Sequence, residues 1–379
     1  MYRIVIGGGM SGIVTALCSA HNGNKTTLIE RNSRLGRKIA MSGNGKCNIL
    51  NENPNVRCYN ESNVVDLVYR NVNFEQCADF LRSVGIFTFA DESGRVYPIT
   101  ESANSVVDCL RLALKEQGVE VLCDCTVKEV KSGKDGFTVV CGDRTLKCDD
   151  VVIAVGSGSQ APLPNICGME KYYTTLCPSL VPLKVPNMDK SLNGIRVKSS
   201  VALLCDGKTV AEEQGELLFR DYGLSGICAF DLSAVIARRV VNGKQGNYVV
   251  QCDLVTHLSK EELEAEINER LRRQYSKETL LYGIVHNKIA EHVLKRVKSV
   301  SGNSVAETLK CCSFPVSLLA DYGKSQVTAG GIDDRYVTDL KLPNGIGVVG
   351  EALNVDGKCG GYNLMFAIAS ALLYSRLYK

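Results

Sequence analysis

Net charge, histidine and long apolar runs are all scarce in this sequence, and each shortage excludes a class of function. Lys and Arg number 44 against 41 Asp and Glu, a net charge of +3. That is too mild to argue for nucleic acid, and no nucleic-acid partner is expected. No apolar stretch approaches the roughly 18 residues of a membrane span, so no membrane contact is expected. The opening MYRIVIGGG has no signal-peptide anatomy, and a cytoplasmic location is expected. The four histidines, His21, His257, His286 and His292, show no metal-ligand spacing. No metal site is expected, and surface or capping roles are assigned to them. Cysteine is abundant at 17 residues, yet no pair is spaced C-x-x-C or C-x4-C. That excludes zinc-ribbon half-sites, thioredoxin-like pairs and the redox dithiol of disulfide reductases. Most cysteines are read as small buried hydrophobes of a reducing cell. Cys123 and Cys125 are expected to face the same side of one strand.

Glycine is plentiful, 35 residues against 9 proline, and it clusters in short runs that suggest special backbone sites. At about 150 residues per domain, the length implies two to three domains. Residues 2–6 (YRIVI) read as a buried strand, 13–22 as a helix stopped by Gly23, and 25–30 (KTTLIE) as a second strand. Together they make one βαβ unit. Helical patterning covers 75–85 and 103–117, and a strand-rich stretch runs from VEVLCDCTVKEVKS to DVVIAVG. Beyond Pro178, IRVKSSVALLCDG, TVAEEQGELLF and GNYVVQCDLV alternate like antiparallel strands with tight turns. Ser259-x-x-Glu262 is a capping box opening a charged helix over 259–275, with a solvated face. A second helical run covers 279–298. Strands resume near Val327, and a helix spans 364–377. The expected fold class is α/β: a Rossmann-like domain built from both chain ends, holding a β-rich and then a helical insertion.

Gly7-Gly8-Gly9-Met10-Ser11-Gly12 sits between the first strand and the first helix. In the Gly-x-Gly-x-x-Gly pattern Gly7 permits the tight turn, Gly9 lets a pyrophosphate approach the backbone, and Gly12 lets helix and strand pack closely. The helix N-terminus offers free N–H groups and a positive dipole end. Glu30 ends the second strand, where a carboxylate can accept both hydroxyls of an adenosine ribose. It would repel a 2′-phosphate.

Three further segments favour FAD over NAD. The stretch from Arg31 to Asn48 combines Arg37 and Lys38 with a second glycine run, Ser42-Gly43-Asn44-Gly45-Lys46, followed by Cys47. Bases and exposed backbone N–H groups suit a long anionic ligand. Lys46 is read as near the flavin or in solvent. Cys47 is read as a packed bystander, with a reactive low-pKa thiol as the alternative. The second segment is VVIAVGSG, a buried strand ending in Gly156. The third is Gly350-Glu351, then Asp356-Gly357 and Gly360-Gly361-Tyr362-Asn363 opening the last helix. That turn points a helix N-terminus at something electron-rich, which the C2 carbonyl of a flavin satisfies.

The segments IVIGGGMSGI with Glu30, GRKIAMSGNGKCN, QVTAGGI and GEALNVDGKCGGYNLMFAIAS resemble the BaiN/YhiN-type flavoprotein family, also called aminoacetone oxidase-family FAD enzymes. The resemblance spans the whole chain, and FRDYGLSG is a weaker match. It implies a glutathione-reductase-type FAD domain over 1–180 and 314–379, a β-barrel-like domain over 181–256 and a helical domain over 257–313. It further implies that Gly9 to Gly12 and Glu30 hold the ADP half. Arg37 and Lys38 would follow the pyrophosphate and ribityl chain, and residues 42–48 would approach the flavin. By the same resemblance Val127 meets adenine through its backbone. Glu351 and Asp356 lie near ribityl and pyrophosphate, and Gly361 to Leu364 lie at the ring. Two segments depart from the family. Arg220-Asp221 stand where it has Thr-His, with Ile227 for a proline, and the glycine-rich stretch after VVIAVG is shortened to SGSQAPLPNICGMEKYY.

The favoured function is an oxidoreductase with non-covalent FAD, accepting hydride from NAD(P)H and reducing a small organic acceptor. By resemblance, an activated C=C bond in a bile-acid-type steroid is one candidate. A single dinucleotide fingerprint leaves NAD(P)H only a transient place over the flavin. The alternatives are an oxidase of a small amine or ketone, a tRNA-modifying flavoprotein, and a non-enzymatic flavin-binding redox sensor. The small-molecule substrate is expected over the flavin, against the inserted domains near Asp221 and Tyr222. A plain surface loop at those two residues is a nearly equal reading. No general acid or base and no oligomeric state can be named from the sequence.

Overall fold

The computed structural model describes residues 1–60, 62–156, 169–319 and 325–379. Of the shortened SGSQAPLPNICGMEKYY stretch, residues 157–168 lie outside the described residues. The chain forms two compact units, residues 1–177 with 326–379, and residues 178–325.

The first unit begins with β1 (Tyr2–Ile6), α1 (Met10–His21) and β2 (Lys25–Ile29). Both strands belong to a five-stranded sheet ordered Gly347–Val348, Asp150–Ile153, β1, β2, Glu120–Leu122. All four pairings are parallel, with Ile4 opposite Val151 and Val5 opposite Leu28. A parallel sheet is covered on both faces, so its strands are near-continuous apolar runs. Ile4, Val5, Leu28, Val151 and Val152 are accordingly fully buried.

The C-terminal helix Tyr362–Leu377 packs against α1. Its residues 365–375 are all buried, as expected of a helix that is apolar all round. Beneath it lies a buried charged network. Arg3 Nε donates to Asp150 Oδ2 at 2.6 Å, and the guanidinium also donates to the Tyr378 carbonyl. The Tyr374 hydroxyl donates to both Asp150 oxygens, and Lys341 Nζ lies 3.3 Å from Oδ1. Only such pairing makes a fully buried guanidinium tolerable. Two three-stranded antiparallel sheets also belong to the unit, with the helices Asn63–Asn71, Phe74–Ser83 and Ala103–Glu116. One is the meander Val127–Gly133, Gly136–Cys141, Arg144–Cys148; the other joins Leu50–Asn51, Arg95–Pro98 and Thr88–Ala90.

The second unit is built on a seven-stranded antiparallel sheet. Its order is Cys312–Val316, Tyr248–Asp253, Arg196–Cys205, Lys208–Arg220, Gly223–Ser225, Leu183–Lys184, Leu318–Leu319. The two edge strands are consecutive in the chain, and Ser317 N–H between them donates to Lys184 O at 2.9 Å. The sheet therefore curls until its edges nearly meet, a barrel-like closure that leaves little free edge. Asp206-Gly207, both at positive φ, form the two-residue turn of its longest hairpin. Helices Ile227–Val241, Lys260–Arg272, Asn287–Arg296 and Gly302–Lys310 complete the unit. His286 caps the third through its Nδ1. His292 departs from the expected surface role. It is buried, stacked on Phe314, with Nδ1 3.0 Å from Asp189 Oδ2.

Candidate functional site

The glycine turn between β1 and α1 gives its three pattern glycines three different surroundings. Gly7 has φ +114°, and a Cβ there would lie 2.4 Å from the Ala154 carbonyl oxygen. A Cβ on Gly12 would lie 1.8 Å from the Gly7 carbonyl oxygen, so helix and turn touch backbone to backbone. A Cβ on Gly9 would meet nothing within 4 Å. Gly9 is also the N-cap of α1, with no side-chain cap and no acid in the first turn. The orphan N–H groups and positive end of a 12-residue helix thus open at the one of these three glycines with free space beside it. Met10 and Ser11 follow, both buried.

Glu30 closes this turn from behind. Its Oε2 accepts from Gly8 N–H at 2.7 Å, and its Oε1 accepts from Asn32 N–H at 2.8 Å and from the Asn32 amide. Each carboxylate oxygen has two lone pairs, so Oε1 is filled by Asn32 and Oε2 keeps one acceptor site for a ribose hydroxyl. Asn32, unnoticed in the sequence, is the residue that orients Glu30; a short polar side chain two positions on is the local signal for it. Residues 122–125 run alongside: Glu30 N–H donates to Leu122 O, and Cys125 N–H donates to Glu30 O at 3.0 Å. Val127, buried, begins the meander two residues later.

Lys38, Gly156 and Glu351 meet at one point. Lys38 Nζ lies 2.9 Å from Glu351 Oε2, and a Cβ on Gly156 would be 3.2 Å from the same oxygen. Thr328 N–H, in the QVTAGGI segment, donates to Glu351 Oε1 at 2.9 Å. Gly350 sits over α1: at φ +66° its Cβ would lie 2.4 Å from Ser11 Oγ, and its N–H donates to Ser370 Oγ. The half-exposed Lys38 makes this ion pair worth at most about 1 kcal/mol, so it can open for a ligand. Gly36 N–H donates to Gly8 O at 2.8 Å, fastening the basic segment to the glycine turn.

A second group forms at the start of the C-terminal helix. Gly361 (φ +94°) is its N-cap, without a side-chain cap. The Asn48 amide oxygen accepts from Gly361 N–H at 3.2 Å and its nitrogen donates to Leu50 O, while Asn51 Nδ2 donates to Gly360 O at 2.8 Å. Asn363 clamps the loop by exchanging hydrogen bonds with both backbone groups of Gly357. Asp356, buried, receives the Asn60 amide oxygen on its N–H, and Tyr59 OH donates to Tyr362 O. Leu364 is half-buried on the first turn. Tyr59 and Asn60 belong to no motif read in the sequence, and only tertiary packing reveals them.

Not every candidate residue joins these groups. Arg31 and Arg37 are exposed. Ser42 Oγ donates to Ile39 O, and Gly43 and Asn44 turn left-handed, with Gly45 at φ +88°. Lys46 is exposed and paired with Glu101 at 2.7 Å. Cys47 is buried, and burial pushes its thiol up to about 11. Burial thus favours the packed-bystander reading over the reactive low-pKa thiol.

A family model described as the HI0933-like protein Rossmann domain matches residues 2–376. The chain is 28% identical to a 3-dehydro-bile acid delta(4,6)-reductase of Clostridium scindens, over 99% of this chain and 98% of that one. It is 26% identical to a ribosomal RNA dihydrouridine synthase of Haemophilus influenzae, over 97% and 96%. It is 27% identical to a protein of the same description from Escherichia coli, over 97% and 95%. The expectation of no nucleic-acid partner thus stands beside two relatives described by an RNA substrate. From residue 2 to residue 376, the chain belongs to the HI0933-like Rossmann family.

Proposed function

We propose that this chain is an FAD-dependent oxidoreductase that reduces a C=C bond conjugated to a carbonyl. The observation that carries the reading is the open space at Gly9, at the uncapped start of α1, with the Glu30 carboxylate fixed behind it. That donor and acceptor set fits the ADP half of a dinucleotide: phosphate at the helix N-terminus, a ribose hydroxyl at the acid. Lys38 would neutralise the pyrophosphate while Glu351 stays anchored by Thr328. The Gly361 turn would aim the N-terminus of the C-terminal helix at the end of the ligand that gains negative charge, and residues 48–51 would hold that turn in place. Bound FAD supplies two-electron hydride chemistry. The relatives' descriptions support the bond type. A delta(4,6)-reductase acting on a 3-oxo bile acid and a synthase making dihydrouridine both add two hydrogens across a C=C bond conjugated to a carbonyl. NAD(P)H is the proposed donor.

Heat or acid should release intact FAD from the purified protein. Recovery of FMN, or of no flavin from protein supplied with excess FAD, overturns the cofactor. The reduced protein, mixed anaerobically with a 3-oxo-delta(4,6) steroid acid, should be reoxidised at a saturable rate. The second reading, an RNA substrate, is favoured by the two synthase relatives. It predicts dihydrouridine in ribosomal RNA fragments and no reaction with the steroid.

A further inference from the structure

We infer that Cys125 and Cys141 form a dithiol that hydroperoxides oxidise to a disulfide, a modification site beside the Glu30 loop. The sequence placed Cys123 and Cys125 on one strand. In the structure the strand Glu120–Leu122 ends before them, and Asp124 between them is left-handed at φ +51°. The turn frees Cys125 to face the meander instead. Val127 pairs with Cys141 in the first rungs of the Val127–Gly133 and Gly136–Cys141 strands, and Gly142 N–H donates to Thr126 O at 3.2 Å. Residues 125–127 therefore run alongside 141–142, which brings Cys125 beside Cys141.

Their exposures differ usefully. Cys125 is half-buried and Cys141 fully buried, and Cys123 lines a surface groove next to them. Cys125 is the accessible thiol of the two and Cys141 is closed off, so an oxidant meets Cys125 first. The Cys125 sulfur attacks a peroxide oxygen. The O–O bond breaks, one water leaves, and Cys125 carries S–OH. The Cys141 sulfur then displaces that hydroxyl as a second water, and an S–S bond forms. The two thiols lose two hydrogens, and one hydrogen peroxide becomes two waters. The bridge would fix the segment that hydrogen-bonds Glu30 and Asn32 through Cys125 and Asp124 N–H. This chemistry is independent of which cofactor the glycine turn holds.

A second pair serves as the internal control. Cys252 and Cys312 are opposite in register on neighbouring strands, but both are fully buried. The test exposes the reduced full-length chain to a small excess of hydrogen peroxide, alkylates free thiols, and maps peptides by mass spectrometry without reduction. The expected product is one cross-linked peptide joining Cys125 to Cys141, reversed by dithiothreitol, with Cys252 and Cys312 free. Cys125→Ser should abolish it, and Cys141→Ser should leave a sulfenic acid on Cys125 that dimedone traps. Recovery of Cys125 and Cys141 as free thiols overturns the inference, as does a bridge from Cys125 to Cys123 or one at Cys252–Cys312 alone. Should Cys141→Ser fail to fold, the maps of the unaltered chain and of Cys125→Ser decide.

Discussion

One methyl group at Gly9 or at Gly12 meets opposite surroundings, which separates ligand binding from folding. At Gly9, with φ −84° and nothing nearby, alanine is conformationally ordinary and enters the space a pyrophosphate needs. Gly9→Ala should change the urea midpoint little and weaken FAD binding by roughly tenfold or more, on a scale of 1.4 kcal/mol per tenfold. At Gly12 the methyl would strike the Gly7 carbonyl oxygen. Gly12→Ala should lower stability by about 1–3 kcal/mol, the usual cost of overpacking. Normal FAD affinity in Gly9→Ala would show that no phosphate lies there. Glu30 has a double task, holding Gly8 and Asn32 and offering the remaining acceptor site of Oε2. Glu30→Ala removes charge-assisted contacts of about 1.5–3 kcal/mol, so FAD affinity should fall roughly tenfold to a hundredfold in a flavin titration. An unchanged dissociation constant would mean the acid faces no ribose. The backbone surroundings of Gly9 and Gly12 were legible in the sequence because the glycine pattern sets them within a few positions, and the place of Glu30 because it ends the same βαβ unit. The Lys38–Glu351 pair spans 313 positions, and no local pattern announces it.

At the scale of elements, the network around Asp150 ties β1, the strand Asp150–Ile153 and the C-terminal helix together. Asp150→Ala would leave Arg3, fully buried, without its carboxylate. Stranding one member of a buried pair costs about 3–5 kcal/mol, and urea denaturation should show a loss of that size. A loss under about 1 kcal/mol would mean that water reaches Arg3 and replaces the acid. Elements with strong end signals were the legible ones. The Ser259–Glu262 capping box is present on both sides, and the Phe74–Ser83 and Ala103–Glu116 helices fall within two residues of expectation. The helix Ile227–Val241 was hidden. Its β-branched ARRVV end and apolar start look like the alternating strands before it, and its N-cap, Gly226, carries no capping side chain. The run over 279–298 is helical only at Asn287–Arg296, because turns with Gly283 at φ +79° occupy its first half.

For the whole molecule, the C-terminal helix is both core and site. It covers α1, anchors Asp150 and Gly350 through Tyr374 and Ser370, and starts at the Gly361 turn. Removing residues 362–379 should therefore unfold the first unit as a whole, the N-terminal sheet included, rather than fray one end. Limited proteolysis of the truncated chain should leave a resistant fragment drawn from 178–325, whose core is its own. Survival of a resistant fragment containing residues 1–48 would show that the N-terminal βαβ unit stands without the helix.

That same helix imposes an order on biosynthesis. The glycine turn leaves the ribosome more than 300 residues ahead of Gly350, which seats on Ser11, and of the helix that packs on α1. Meanwhile α1 has only its early partners, β1, β2 and the Ala103–Glu116 helix, while residues 178–325 are synthesised without interruption and can fold as they emerge. The nascent chain therefore carries its glycine turn without that last cover while the residues between are made, the window in which a chaperone would be needed.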